Sequence, residues 1–128
     1  MNKLLLLLEQ SGANPKVGIH GMLDDEEMYL RLLKEFVQSD ELVTMRTEIE
    51  AGNYPGAFEI CHRMKGSSVT LALTPLSAAL SELTELLRPY YNGSKKTPPL
   101  EERSLVMLSL GRTEHLMDRY RALLIIAE

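Results

Sequence analysis

Residues 53–72, NYPGAFEICHRMKGSSVTLA, decide how the chain folds. Asn53 can cap a helix, and Pro55 is tolerated in a first turn, where its missing N–H leaves no carbonyl without a donor. At about 100° per residue, Ala57, Ile60, Cys61, Met64, Ser68, Leu71 and Ala72 fall on one broad side, which predicts a core face. Phe58, His62, Lys65, Gly66 and Val69 share a second stripe, while Glu59, Arg63, Ser67 and Thr70 take the polar remainder. Local propensity opposes a helix in the middle, since Gly costs about 1 kcal/mol relative to Ala and Ser67 and Ser68 add to that. The apolar spacing continues on both sides, so the helix is predicted to run through, over about 54–72. An unfavourable local choice inside a regular element points to function.

Outward from this segment, helical spacing recurs. Thr74-Pro75 predicts the next helix start, with Thr as cap, and Leu76, Leu80, Leu83 and Leu87 carry its stripe. Upstream, Leu42, Met45 and Ile49 follow a restart at Ser39-Asp40 and stop at Gly52. Asp24, Asp25, Glu26 and Glu27 place negative charge at a helix start, and Tyr29, Leu32, Leu33, Phe36 and Val37 predict a helix over about 24–38. Residues 1–9 predict a short helix ended by Ser11-Gly12-Ala13-Asn14-Pro15, and Val17–Gly21 reads as an irregular lead-in. Residues 89–99 read as a loop, with Lys95 and Lys96 a solvated pair. Residues 100–126 predict a long last helix through Leu105, Leu108, Leu116, Tyr120 and Leu123. With no period-two alternation and no internal repeat, the fold class expected is all-α. Four long helices and a short N-terminal one suggest an antiparallel, up-down-up-down four-helix bundle. The whole chain, 1–128, reads as one domain, with 1–23 a lead-in and the bundle at about 24–126.

Composition narrows the function. The 128 residues carry 14 Lys+Arg against 18 Asp+Glu, a net charge of −4, which lacks the basic footprint that nucleic-acid binding needs. One cysteine, Cys61, excludes an internal disulfide framework and a Cys-based zinc cluster. The run Leu4–Leu8 is far shorter than a membrane span and leads into Glu9 without a cleavage site, so it reads as neither anchor nor signal peptide. A reducing, cytoplasmic setting follows as the expectation, with no membrane contact.

On the second stripe His62 points away from the core. Gly66, one turn on, removes the side chain that would flank the imidazole, and Lys65 brings a positive charge to the same face. An imidazole is substantially neutral and nucleophilic near pH 7, so an open one beside an ammonium suits a nucleophile that receives an anionic group. Lys65 would neutralise phosphoryl oxygens. Phe58 and Val69 would give a protein partner an apolar surface to dock against.

The run His62-x-x-Lys65-Gly66-Ser67-Ser68 resembles the motif of histidine-containing phosphotransfer (HPt) domains, the carriers of multistep phosphorelays. The likeness extends to the Gly52-Asn53-Tyr54 turn, the apolar helix leading to His62 and the Leu-rich hairpin partner at 74–87, and covers about residues 24–125. Val69-Thr70 departs from it, since the family more often has smaller or amide residues there. The resemblance implies a four-helix bundle with the active histidine exposed midway along one helix. It implies that His62, through Nε2, takes a phosphoryl group from a receiver-domain aspartate and passes it to another receiver. On this reading Lys65 stabilises the phosphoryl charge, Gly66 gives clearance, and Phe58, Val69, Ser67 and Arg63 form the docking surface. The chain holds no cofactor or metal of its own, the Mg²⁺ being the receiver's. Its partners would be receiver domains and a hybrid histidine kinase, and the protein would be a stand-alone monomer without kinase activity. A different class stays open: a non-phosphorylated helical adaptor that docks on receiver or kinase domains without transfer.

The other candidates read as structural. His20, between Gly18 and Gly21, and His115, after Glu114, lack a comparable setting, and no pair of histidines has metal-ligand spacing. Cys61 and His62 are helix neighbours pointing about 100° apart, so Cys61 reads as a small core residue rather than half of a dyad. The seven Met read as packing, and Gly12 and Gly18 belong to no phosphate-cradling loop.

Overall fold

Leu76, Leu80, Leu83 and Leu87 are spaced to line one face of a helix, and all four are fully buried. The computed structural model describes residues 2–93 and 97–127, which form seven helices and no strand. They are α1 (Lys3–Gln10), α2 (Pro15–Gly21), α3 (Glu26–Gln38), α4 (Glu41–Glu50), α5 (Tyr54–Thr70), α6 (Thr74–Tyr91) and α7 (Leu100–Ala127). The helix that begins at Asn53 forms as its caps dictate. Asn53 Oδ1 accepts from the Gly56 N–H at 3.2 Å, and Pro55 sits in the first turn. Asp25 caps α3 by accepting from the Met28 N–H at 2.9 Å. Gly52, at φ +80°, turns the chain out of α4, a conformation glycine adopts without strain.

The helices make a bundle around one apolar core. α5 and α6 form a hairpin across residues 71–73, α4 packs on α5, α7 packs on α6, and α1 and α3 lean on α7. Tyr29, Leu33, Val37, Met45, Met64 and Leu110 fill the interior. No helix among the described residues is long and apolar enough to cross a membrane.

Several sequence expectations are corrected. Val17–Gly21 is not irregular but lies in α2, capped by Asn14 with Pro15 as its first residue. Gly18 serves there for close packing: a Cβ at that position would lie 2.5 Å from Tyr29 Cε2 and 3.1 Å from the Leu71 carbonyl oxygen. Leu73 rather than Thr74 occupies the cap of α6, which makes no side-chain capping bond. α6 also runs through Pro89 to Tyr91, so the loop predicted from residue 89 starts later. Pro89 is tolerated near the C-terminal end because Tyr90 and Tyr91 continue the apolar spacing of Leu87, and Tyr90 is buried. On α7 the stripe is phased differently. Leu105 and Leu108 are about half exposed, whereas Val106, Ser109, Leu110, Thr113, Met117, Tyr120 and Leu124 face the core. Lys95 and Lys96 lie outside the described residues.

Candidate functional site

The core face of α5 fixes where its other faces point. Ala57, Cys61, Met64 and Ser68 are buried against α6, and two polar contacts set the rotation. The Thr84 hydroxyl donates to the Leu80 carbonyl at 2.7 Å, and the Cys61 thiol lies 3.2 Å from Thr84 Oγ1 and 3.5 Å from that same carbonyl. The Ser68 hydroxyl donates to the Lys65 carbonyl at 2.7 Å and accepts from Ser77 at 3.0 Å. Burial pushes the Cys61 thiol up to about 11, with Thr84 and the Lys65 charge opposing the rise, so it is an inert core thiol.

With Cys61 inward, His62 is turned outward about one-quarter of a turn and is exposed to solvent. Helical side chains lean toward the N-terminus, which brings the imidazole back over Phe58, one turn earlier. The two rings are stacked, with centroids 5.8 Å apart and planes inclined by 18°. Toward the C-terminus the space is open, because Gly66 is exposed and a Cβ built there meets nothing within 4 Å. The imidazole is therefore backed on one side and free on the other.

Phe58 itself is not the exposed docking residue the wheel suggests, being only 6% exposed. Tyr91, from the last turn of α6, stacks on it at 4.3 Å, and the Arg88 guanidinium lies 5.2 Å from its ring centroid. Arg88 also grips the Glu85 carboxylate, with Nη2 2.9 Å from Oε1 and Nε 3.1 Å from Oε2. The Arg88 hydrogen bond holds that carboxylate below its usual range, and the Lys65 charge pulls in the same direction. Lys65 is half-buried and adds its ammonium to this corner.

Val69 is 59% exposed, in the surface position its stripe predicts. Arg63 is exposed but engaged, its Nε 2.9 Å from Glu41 Oε2 on α4. Arg63, Gly66 and Ser67 border an open groove of about 560 Å³ whose far wall includes Leu32, Phe36 and Glu41. The stripe thus divides. His62 stays exposed with Phe58 as its support, Lys65 places its charge toward Glu85, and Gly66 joins the open flank of His62 to the groove that Arg63 and Ser67 border. Arg88 and Tyr91 were missed because Pro89 reads as a helix stop, although the spacing Leu87–Tyr90–Tyr91 signals that α6 continues; Glu85 lies within the predicted helix, and only its pairing with Arg88 brings it into view.

The other two histidines differ. His20 Nδ1 lies 3.3 Å from Asp24 Oδ1 in the exposed last turn of α2, and His115 is exposed on α7 with Arg112 beside it; among the described residues neither is stacked on a ring as His62 is. Among the described residues, no three or more His, Cys, Asp or Glu are grouped to hold a metal ion.

The described residues form an all-helical bundle that presents the His62 imidazole to solvent, backed by an aromatic ring and open toward Gly66. The Hpt domain family model matches residues 29–123, and the chain belongs to that family. Hpt domains are the phosphocarriers of histidine phosphotransfer in phosphorelays and interact there with receiver domains and kinases. No curated protein and no solved structure matches the chain.

Proposed function

We propose that His62 is the residue that carries the phosphoryl group, taking it from the aspartyl phosphate of a receiver domain and delivering it to the aspartate of another. The carrying observation is the asymmetric setting of its imidazole, stacked on Phe58 and open toward Gly66. In the accepting step the Nε2 lone pair attacks phosphorus and an N–P bond forms. The P–O bond to the receiver aspartate breaks, the aspartate leaves as a carboxylate, and Nδ1 keeps its proton. Delivery is the reverse with a second receiver. Little covalent work falls to the protein in such a transfer, so positioning and charge neutralisation dominate. The receiver supplies the Mg²⁺ that neutralises phosphoryl oxygens. Lys65 adds a compact positive charge from the carrier's side. Val69 and the groove beside Arg63 and Ser67 offer the receiver an apolar and polar contact surface. A hybrid histidine kinase is a further partner on this reading, and the setting is the cytoplasm.

The test is labelling by a receiver domain charged with acetyl phosphate. An acid-labile, base-stable phosphate on the chain is expected, and none on His62→Gln, with His20→Gln and His115→Gln labelled as the wild type. Full labelling of His62→Gln would refute the site. Binding of the receiver without any label would instead favour the adaptor reading.

A further inference from the structure

His62, Phe58 and Tyr91 form a continuous aromatic column that joins the middle of α5 to the last turn of α6. The imidazole lies on Phe58 at 5.8 Å, Phe58 lies on Tyr91 at 4.3 Å, and the Arg88 guanidinium is 5.2 Å from the Phe58 centroid. The His62–Phe58 pair is within the separations at which offset stacking is favourable, and the Phe58–Tyr91 pair is closer still, in direct ring contact. Phe58 has little freedom to move, being 6% exposed, whereas Tyr91 is 44% exposed at a helix end. We propose that this column is a positioning device for the phosphoryl-accepting nitrogen, with Phe58 and Tyr91 as positioning residues. The inference rests on His62 being the phosphoryl acceptor.

An exposed histidine on a helix has two accessible χ1 wells, since the third clashes with the preceding turn, and two broad χ2 orientations. The Phe58 ring selects those that lay the imidazole flat along the helix, and Tyr91 keeps Phe58 from swinging out. One of about four arrangements is thereby held ready for in-line attack. The open side toward Gly66 then receives the receiver rather than a side chain.

The experiment compares Phe58→Leu, Tyr91→Leu and Tyr91→Phe with the wild-type chain. Transfer from a phosphorylated receiver is followed under single turnover over a range of receiver concentrations, and the His62 imidazole resonances are recorded by NMR. Loss of either ring is expected to lower the saturating rate by about fourfold, the number of arrangements released, while the half-saturating concentration holds. The upfield ring-current displacement of the His62 signals should shrink in both Leu variants. Tyr91→Phe keeps the ring and should restore both readouts. Wild-type rates together with unchanged His62 shifts in Tyr91→Leu would overturn the positioning role. A Phe58→Leu chain that fails to fold leaves Tyr91→Leu, at the surface, to decide. Should the wild type carry no phosphate on His62, the functional reading fails and takes this role with it; a labelled wild type whose rate ignores both rings defeats the column alone.

Discussion

Three glycines inside helices should respond to the same substitution with opposite signs. Gly66 on α5 and Gly111 on α7 have nothing within 4 Å of a built Cβ, so alanine adds no contact and removes only backbone freedom from the unfolded chain. Each change should stabilise by about 1 kcal/mol. With about 2.1 cal/mol/K of unfolding entropy per residue, a chain of 128 residues has about 0.27 kcal/mol/K, so each should raise Tm by about 4 °C. Gly18 is the contrast. A Cβ there would press to 2.5 Å on Tyr29 Cε2, and that ring is fully buried and anchored by its hydroxyl, which donates to the Leu71 carbonyl at 2.8 Å. Relieving the overlap means shifting the ring at about 1–3 kcal/mol, with the buried hydrogen bond at risk for about 1 kcal/mol more. The helical gain of about 1 kcal/mol offsets only part, leaving Gly18→Ala destabilised by about 1–3 kcal/mol. Equilibrium urea unfolding followed by far-ultraviolet circular dichroism measures all three, with equal m-values as the check that only stability changed. A stabilised Gly18→Ala, or a destabilised Gly66→Ala, would refute the packing on which α2 and the open flank of His62 are argued. Gly66 also has a functional arm. Alanine should leave the imidazole accessible, whereas the longer chain of Gly66→Leu leans toward the N-terminus and should block transfer.

Lys65→Ala should slow transfer from a receiver by about tenfold, the worth of one charged hydrogen bond of about 1.5 kcal/mol, with the thermal midpoint little changed; an unaltered rate would remove Lys65 from the reaction. Alkali should destabilise the fold. Burial raises the Cys61 thiol from 9.0 to about 11 and the Tyr29 hydroxyl from 10.0 to about 12, so the unfolded chain loses these protons first. The stability they confer is complete below about pH 9 and falls as pH rises from 9 toward 12, a decline that urea midpoints across that range would register. A flat profile would contradict burial of both groups. The same burial predicts that native Cys61 resists iodoacetamide until the chain is unfolded.

The core of the α5–α6 hairpin was legible because each helix has a single apolar stripe. Ala57, Cys61, Met64 and Ser68, and Leu76 through Leu87 at helical spacing, are all buried as that periodicity requires. α7 resisted the same reading for a physical reason. Leucine and methionine occur around its whole circumference, so periodicity cannot select a face, and contact with α6, α1 and α3 selects Val106, Leu110 and Met117 over Leu105 and Leu108. α2 was hidden by Gly18, whose low helix propensity is outweighed by the close approach to Tyr29 that only glycine permits. Pro89 hid the end of α6, and with it Arg88 and Tyr91. The expectation of an exposed Phe58 follows from that omission. A wheel drawn for α5 has the correct angle for Phe58 but contains no neighbouring helix, and the neighbour supplies the ring that covers it.

What makes His62 an outward residue is decided on the opposite side of its helix. An apolar interface alone tolerates some rotation of one helix against another, because hydrophobic attraction has no direction. The Cys61–Thr84 and Ser68–Ser77 contacts do have direction. Both lie in the α5–α6 interface, almost two turns apart along α5, and in each pair one hydroxyl, that of Thr84 or Ser68, also donates to a main-chain carbonyl. Turning α5 by one position, about 100°, would break both contacts and carry His62 toward the place of Cys61, into the core. Buried hydroxyls without partners are costly, at about 1–3 kcal/mol each, so two such contacts penalise the rotated arrangement strongly. The small polar residues in the middle of α5 therefore have separate tasks. Ser68 fixes rotation, Gly66 leaves the imidazole approachable, and their cost in helix propensity is offset by the packing of α6 along the same seventeen-residue helix.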